Sequence, residues 1–310
     1  MKGRRLWEGR SGAAVIMAIM VVLILSALAF AMLEAQRVSI RRAKGVAERA
    51  VSMEIARSAI SNAALTLASS APSDLGSAGE DCSLPEGLDL TGGSPARVVV
   101  YDEQGKINLN NMLAHKKPNA RGIRTFIELL KSLSLPLELA DTLTDWIDPD
   151  SERRWPDGAE DEYYIGLTPS RLAGNRFLIV PMEMAMIKGF DKDVIDKLSP
   201  HITALPRHVR LNVNAATAHA LAAAIPGLDV REAEMLVKER MERPFADRED
   251  FIDRLPLGVT NVHELYLTVD GEFYRITAEV ASSRAWAAAE ALVRVGMGAK
   301  RYEIIWQRSI

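Results

Sequence analysis

One long stretch without charge, residues 11–33, restricts the architecture of this chain more than any other feature. A membrane-spanning helix needs about 20 apolar residues, because each residue adds about 1.5 Å and the hydrocarbon layer is about 30 Å thick. Residues 13–33 supply twenty-one consecutive uncharged and mostly apolar residues. The sequence therefore predicts a single membrane-spanning helix that anchors a globular part made of most of the 310 residues.

Basic residues flank the span on both sides. The first ten residues carry a net charge of +3, which favours a cytoplasmic N-terminus. Five basic residues follow the span, so charge counting alone does not fix its orientation: Arg37, Arg41, Arg42, Lys44 and Arg49. The alternative is a cleaved secretory signal, with residues 29–31 as an Ala-x-Ala motif. It is disfavoured because the apolar core is longer than the usual core of about 7 to 15 residues.

The helix is expected to continue well beyond the span. Residues 34–69 contain no proline and a single glycine. Apolar residues recur there at spacings built from threes and fours, which is typical of an amphipathic helix: Val38, Val46, Ala50, Met53, Ile60, Ala64 and Leu67. One helix over residues 13–69, ending at about residue 70, would be roughly 85 Å long.

Strand-like segments flank a region that is mostly helical. Two β-rich runs, 97–101 and 106–109, surround a four-residue turn and predict a hairpin. Prolines and glycines then separate short helices, predicted at 121–134, 136–147, 170–174, 181–187, 192–198, 215–224, 230–242 and 248–254. The last region predicts strands at 264–269, 272–282, 285–295 and 301–307, the first two joined by a turn.

This order of elements predicts an α+β fold. An isolated hairpin is marginal in water, so the early strands must join the late ones in one antiparallel sheet. Residues 71–109 and 257–310 then form one α+β domain, and residues 110–256 form an inserted α-helical domain. The second half of the long helix is expected to cover the apolar face of the sheet. The alanine-rich segment 285–295 also suits a helix by propensity.

Composition gives no support for a nucleic-acid partner or a zinc site. The net charge is −3 and the isoelectric point is about 6.0, so there is no basic excess to bind phosphate or anionic lipid. The five histidines lack the spacing of zinc ligands. Cys82 is the sole cysteine and forms no internal disulfide.

The start of the span resembles the processing site of type IV pilins and pseudopilins. Residues 10–15 read Arg-Ser-Gly-Ala-Ala-Val, so a basic leader ends in glycine immediately before the apolar helix. One unbroken helix that leads into an antiparallel sheet is similar to the same proteins. Most members carry a glutamate five residues after the glycine, and Met17 occupies that position here.

Five short motifs narrow the resemblance to the K-type minor pseudopilins of type II secretion systems (general secretion pathway protein K). In the order seen in that family, they are GKINLN at 105–110, DWID at 145–148, GAEDEYY at 158–164, LNVNAA at 211–216 and PGL at 226–228. The likeness covers essentially the whole chain. That family also lacks the glutamate, and its pilin-like sheet carries a large all-α insertion of SAM-like or helix-hairpin-helix-like type.

The resemblance implies processing, location and partners. Prepilin peptidase would remove the leader, residues 1–12, by cutting between Gly12 and Ala13, and would methylate the new N-terminus. The protein would cross the bacterial inner membrane once, with a cytoplasmic N-terminus and a periplasmic C-terminal domain. It would cap the tip of the pseudopilus in a complex with the I-type and J-type minor pseudopilins. It would support the export of folded proteins, which are themselves expected partners. It would have no enzymatic activity. Met17 fits this position, because a tip subunit has no neighbour above it whose N-terminus a glutamate would neutralise.

Residues 141–162 form an acidic segment with nine carboxylates and two arginines. Asp148 and Asp150 start like an EF-hand loop, but Arg153 stands at the glycine position, so that motif is rejected. Two interpretations remain, a solvated acidic loop or a looser oxygen cage for calcium, which K-type pseudopilins bind in their helical part. The predicted calcium ligands are Asp148, Asp150, Glu160 and Asp161. Acid–base catalysis is disfavoured because no nucleophile or base accompanies the carboxylates.

A rival interpretation is a membrane-anchored helix-hairpin-helix protein that binds DNA in a competence or type IV pilus system. Residues 212–216, 226–228 and 243–245 resemble that module. In the module a glycine lets backbone amides approach phosphate, but Asp229 stands in its place. Residues 227–255 also carry a net charge of −3, which opposes phosphate binding. We therefore predict a structural hairpin and no nucleic-acid partner.

Overall fold

The computed structural model of the protein describes residues 10–69, 96–259, 266–281, 286–296 and 302–310. Most of the predicted leader and Cys82 lie outside these residues. The helices are α1 (Arg10–Ser69), α2 (Ala120–Ser132), α3 (Leu139–Ile147), α4 (Asp161–Ile165), α5 (Lys192–Leu198), α6 (Ala218–Ala224), α7 (Val230–Glu242) and α8 (Arg248–Asp253). The strands are β1 (Ala96–Asp102), β2 (Ile107–Asn108), β3 (Leu113–Ala114), β4 (Lys117–Pro118), β5 (Ile202–Thr203), β6 (Leu211–Asn212), β7 (Leu267–Thr268), β8 (Phe273–Ala281), β9 (Trp286–Val295) and β10 (Tyr302–Ser309).

Helix α1 is one unbroken helix, as the absence of proline after residue 33 predicts. Among the described residues it is the one helix long and apolar enough to cross a membrane, and its most apolar window is fully exposed. The helix remains largely exposed as far as residue 51 and then buries one face. Small side chains dominate that face, which comprises Ser52, Ala56, Ala59, Ile60, Ala63, Ala64 and Leu67.

The buried face of α1 packs against a four-stranded antiparallel sheet with the order β1-β8-β9-β10. Val100 of β1 lies opposite Ile276 of β8, which lies opposite Ala291 of β9. All three side chains are buried in the core between sheet and helix. Strand β9 confirms the predicted strand at 285–295 despite its alanine content, because its neighbours β8 and β10 hydrogen-bond both of its edges.

The predicted hairpin between 97–101 and 106–109 is wrong. Strand β1 pairs with β8, whose paired residues lie 172 to 184 positions further along the chain, and β2 pairs in parallel with β5. Between them the chain does not reverse but forms a 3-10 turn, Glu103–Gly105, which Asp102 caps by accepting a hydrogen bond from the Gln104 amide at 2.8 Å. Because all three residues of the turn are buried, it packs within the fold instead of closing a surface hairpin.

The predicted pairing of 264–269 with 272–282 is also wrong. Strand β8 pairs with β1 and β9, whereas β7 pairs in parallel with β6. Strands β5 and β6 both lie within the region predicted as a helical insertion. The short parallel pairs β2·β5 and β6·β7 therefore join that region to the chain segments on either side of it.

The helical region has its own core, separate from the one under α1. Helices α5 and α7 match the predicted ranges 192–198 and 230–242, and in place of the helix predicted at 181–187 the chain forms a 3-10 helix, Pro181–Met186. The predicted helix at 170–174 is wrong, because this segment runs over the Trp146 ring and the Asn175 amide donates to the Trp146 carbonyl at 2.8 Å. Helix α4 is absent from the sequence-based prediction.

Candidate metal centre

Three acidic side chains from separate parts of the helical region meet at one point. Asp148 follows the last residue of α3, Asp150 lies in the next loop, and Glu160 immediately precedes α4. Each offers one carboxylate oxygen, and these three oxygens lie within 4.8 Å of one another. The structure thus brings together three of the four predicted calcium ligands.

Two of these carboxylates are buried without hydrogen-bond partners. Asp148 is 2% exposed and Glu160 is 5% exposed. Within the described part of the chain, Asp148 Oδ1 and both Glu160 carboxylate oxygens accept no hydrogen bond. A buried, unpaired carboxylate is strongly unfavourable, so the site needs either protons or a cation at these oxygens.

The raised pKa values of the two buried acids also indicate that protons or a cation must neutralise these oxygens. Burial, together with the nearby charges of Asp150 and Asp145, raises the pKa of Asp148 to about 7. Burial, together with the charges of the surrounding aspartates, raises the pKa of Glu160 to about 8. Near neutral pH, protons and a cation therefore compete for the same oxygens.

A second set of contacts shapes the loop that carries these ligands. Asp145 Oδ2 accepts a hydrogen bond from the Arg154 amide at 3.1 Å, and Arg154 Nε contacts Asp141 Oδ1 at 3.2 Å. Gly158 packs so closely that a Cβ there would lie 2.1 Å from Asp145 Oδ2. This positioning role of Asp145 is not predicted from the sequence, where the glycine within an acidic loop is the one signal that points to it.

Asp161, the fourth predicted ligand, is not part of the group. Its Oδ1 accepts a hydrogen bond from the Ala173 amide at 2.8 Å, which fixes the start of α4 to the following loop. The group itself consists only of carboxylate oxygens, the donors that hard cations such as Ca²⁺ prefer. Calcium takes six to eight oxygens, so backbone carbonyls and water would have to complete the shell. The donor chemistry and the unpartnered buried oxygens fit a calcium ion.

The residues predicted for processing lie in the first turns of α1. Gly12, Ala13 and Met17 continue the same helix without a break, and Met17 is 62% exposed. No atom lies within 4 Å of a Cβ built on Gly12. Cleavage after Gly12 and methylation of Ala13 stay predictions.

The hairpin between α6 and α7 has a carboxylate where a DNA-binding module would place a phosphate. Gly227 has φ +88°, which suits glycine at this turn. Asp229 accepts a hydrogen bond from the Glu232 amide at 2.8 Å, and Glu232 Oε2 accepts one from the Asp229 amide at 3.0 Å. Acidic side chains of α7 itself thus accept the hydrogen bonds of backbone amides at the start of this helix, where a DNA-binding module would place a phosphate.

Two family models match the chain, and both describe protein K of the Type II secretion system (T2SS). One matches residues 105–207 and includes the three acids of the candidate metal centre. The other matches residues 211–270. Together they span more than half of the chain.

Curated relatives carry the same description. The chain is 30% identical to Type II secretion system protein K of Pseudomonas aeruginosa over 195 residues, which cover 62% of this chain and 58% of the relative. It is 29% identical to Type II secretion system protein K of Aeromonas hydrophila, with 60% of this chain and 63% of the relative covered. The aligned part thus spans 58% to 63% of the length of these relatives.

A solved structure shares the architecture. The chain is similar to a chain in the GspK-GspI-GspJ complex of the enterotoxigenic Escherichia coli Type 2 Secretion System, with a TM-score of 0.68 and 20% identity. The match covers 86% of this chain and 99% of that one. At this identity the likeness shows the fold. It confirms the predicted α+β class, with a long N-terminal helix on an antiparallel sheet and a set of further helices.

Proposed function

Because the chain belongs to the protein K family of the type II secretion system, we propose that it is the minor pseudopilin that caps the tip of a type II secretion pseudopilus. The observation that carries this proposal is α1, which runs unbroken from an exposed apolar end to an end buried against the sheet. Such a helix places a membrane anchor and a filament stem in one rigid rod. The solved relative that shares this fold lies in a complex with GspI and GspJ, which supports I-type and J-type partners here.

The tip position rests on Met17. In filaments of this kind, a glutamate at that position neutralises the N-terminal amine of the subunit above. A subunit that lacks the glutamate loses nothing if no subunit lies above it, whereas in the body of the filament the neighbouring amine would stay unpaired in an apolar bundle. The protein supports assembly of the filament and export of folded proteins from the periplasm, with a structural role instead of a catalytic one.

The direct test is co-expression of the full chain with the I-type and J-type minor pseudopilins of the same organism. We expect the three proteins to purify from membranes as one complex with a single copy of this chain. Each partner expressed with this chain alone serves as a control for nonspecific association through the membrane helices. Failure of the ternary complex to form would contradict the proposed tip role.

Processing is tested on protein recovered from membranes that contain prepilin peptidase. Mass spectrometry should find an N-terminus at methylated Ala13. A Gly12→Asp variant should retain Met1, because the peptidase needs a small residue at the cleavage site. A wild-type protein that keeps its leader would contradict the prepilin interpretation.

We further propose that Asp148, Asp150 and Glu160 hold a calcium ion. The ion would supply positive charge to oxygens that have no other partner in the described part of the chain, and it would link the end of α3 to the start of α4. At pH 8, calcium should raise the melting temperature of the full chain in detergent. The same concentration of magnesium should raise it less, because magnesium demands a stricter octahedral shell.

Two matched variants test the assignment. Glu160→Gln should abolish most of the calcium effect and, without calcium, should be more stable than the wild type because one buried charge is gone. Glu162→Gln changes an exposed carboxylate two residues away and should keep the full calcium effect. An equal loss in both variants, or no calcium effect in the wild type, would exclude this site.

A further inference from the structure

The basic residues that follow the span are unexplained by the tip role. Within residues 34–44 the chain carries one acid and four basic residues, a net charge of +3. We call these four residues the basic collar: Arg37, Arg41, Arg42 and Lys44. Positive residues are normally depleted on the side of a membrane to which a domain is exported, so their presence there calls for a specific partner.

The collar lies close to the membrane surface. With a rise of about 1.5 Å per residue, Arg37 is about 6 Å beyond Leu33, the last residue of the span, and Arg42 is about 14 Å beyond it. The polar headgroup layer extends about 5 to 8 Å from the hydrocarbon, and charges in physiological salt interact over about a further 8 Å. Most of the collar therefore lies within reach of lipid phosphates.

The direction of the side chains shortens this distance. In an α-helix each Cα–Cβ bond tilts toward the N-terminus, and in α1 that direction is toward the membrane. Arginine side chains are long enough to extend back over more than one helical turn. Arg37 follows this direction, because its Nη1 reaches back to Glu34 at 2.6 Å, whereas Lys44 Nζ lies 3.9 Å from Glu48 on the side of the globular part. The tilt therefore favours contact between the arginines of the collar and the headgroups.

Two of the four collar residues are available to bind a partner. All four basic side chains are exposed, and the first buried residue of α1 after the span is Ser52. Arg37 is paired with Glu34 at 2.6 Å, and Lys44 is 3.9 Å from Glu48. Arg41 and Arg42 have no ion-pair partner among the described residues.

We propose that the basic collar binds the anionic headgroups of phospholipids in the leaflet from which the globular part emerges. Arg41 and Arg42 are its principal contacts, each as a hydrogen-bonding cation on a lipid phosphate. The contact fixes the height of α1 in the bilayer before the subunit enters a filament. The proposal depends on the position of the span and not on the identity of the partner subunits.

The test measures lipid selectivity of the full chain in phosphatidylcholine membranes, by electron spin resonance of spin-labelled phosphatidylglycerol and phosphatidylcholine. We expect the protein to prefer phosphatidylglycerol and 0.5 M NaCl to weaken that preference. Arg41→Gln and Arg42→Gln should each lower the preference for phosphatidylglycerol by up to roughly fivefold. This factor corresponds to the attraction between one basic residue and an anionic membrane surface. The N-terminal leader is the same in every variant, so differences between variants report the collar alone.

Arg57→Gln is the matched control, because Arg57 is exposed on the same helix but about 36 Å beyond the span and paired with Glu54 at 2.7 Å. It should keep the wild-type selectivity. Equal association of both lipids with the wild-type chain would overturn the proposal, as would an equal loss in Arg57→Gln. If Arg41→Gln kept the wild-type lipid selectivity but lost binding to a partner subunit, the collar would be a protein-binding surface. That result would also overturn the proposal.

Discussion

At the scale of single residues, Asp102 is the buried carboxylate that joins the end of β1 to the helical region. Its Oδ1 accepts from the Gln104 amide at 2.8 Å and its Oδ2 accepts from Asn212 Nδ2 at 2.7 Å. Gly271 lies against it so closely that a Cβ there would be 2.0 Å from Asp102 Oδ2. Burial raises the pKa of Asp102 to about 7, an effect that the two hydrogen bonds only partly offset.

This shift predicts how stability depends on pH. A carboxyl whose pKa is higher in the folded state than its ordinary 3.8 contributes its full stabilisation below that value and loses it as the pH rises through about 7. The free energy of unfolding should therefore fall between about pH 4 and pH 7, by up to about 1.4 kcal/mol per pH unit from this group, and this contribution should level off at higher pH. Asp102→Asn, which mimics the protonated form, should flatten that slope in urea unfolding of the full chain in detergent.

Asp253→Asn is the control for Asp102→Asn, because Asp253 is exposed. Its slope should match the wild type. Burial also raises the pKa values of Asp148 and Glu160, so the informative quantity is the difference between each variant and the wild type. An Asp102→Asn slope equal to that of the wild type would contradict the prediction.

At the scale of elements, α1 has two different environments along one rod. Its first part is exposed on all sides, as a helix in lipid requires, and its last part buries a face of small residues on β8 and β9. Both sides of this core contain alanines, for example Ala63 on α1 and Ala289 on β9. Small side chains on both elements let the helix approach the sheet closely, and the large Ile60 fills the space between them.

Ile60 should therefore contribute strongly to stability. Ile60→Ala removes a fully buried side chain and leaves a cavity, and we expect it to lower the free energy of unfolding by about 2–4 kcal/mol. Leu65→Ala is the control on the same helix, because Leu65 is 47% exposed, and its effect should stay under about 1 kcal/mol. Urea unfolding of both variants in detergent measures the difference. Similar losses in the two would mean that α1 packs on the sheet through another face.

At the scale of the whole molecule, a buried ion cluster connects the sheet to the helical region. Glu103 Oε1 contacts Arg275 Nε at 2.8 Å and Lys106 Nζ at 3.0 Å, and its Oε2 accepts from Thr203 Oγ1 at 2.6 Å. Arg275 also contacts Glu290 at 3.1 Å. Burial raises the pKa of Glu103, but Lys106, Arg275 and Thr203 together outweigh it, and the net shift is downward. The cluster thus stabilises an ionised Glu103 between β5 and β8.

Loss of this cluster should separate the two parts of the molecule. Glu103→Gln leaves Arg275 with Glu290 as its remaining ion-pair partner among the described residues, so we expect a loss of about 2–3 kcal/mol in the free energy of unfolding. Hydrogen exchange should show that the helical region then opens at a lower urea concentration than the sheet. Glu128→Gln, which changes an exposed pair with Lys131, should alter stability by no more than about 1 kcal/mol. If the helical region and the sheet of Glu103→Gln still unfolded in a single coincident transition, the ion cluster would not be what couples these two parts.

The chain resembles protein K relatives in both its helical region and its long helix and sheet. The models cover the helical region and its junctions, and the structural match adds the long helix and the sheet. The resemblance drawn from five short motifs is thereby confirmed as to family and fold class. Processing, the calcium ion and the tip position are proposals that the experiments above decide.

Local sequence determined the features whose physical cause is local. The length of α1 follows from the absence of breakers, and the bounds of α5 and α7 follow from capping residues at their N-termini. The membrane span follows from twenty-one residues without charge. The sequence also predicted Asp148, Asp150 and Glu160 as calcium ligands, because carboxylates at such density repel each other unless a cation or a proton intervenes, and calcium binding there stays a prediction.

Only the tertiary structure decided which strands pair and which acids meet. Strands β2 and β5 have two residues each, so their sequences carry no local signal that predicts which strand pairs with which. Their pairing is determined by the buried turn after Asp102 and by the path of the chain. The same holds for the metal centre. Asp161 is adjacent to Glu160 in sequence but turns to the Ala173 amide, because the start of α4 directs neighbouring side chains to different sides.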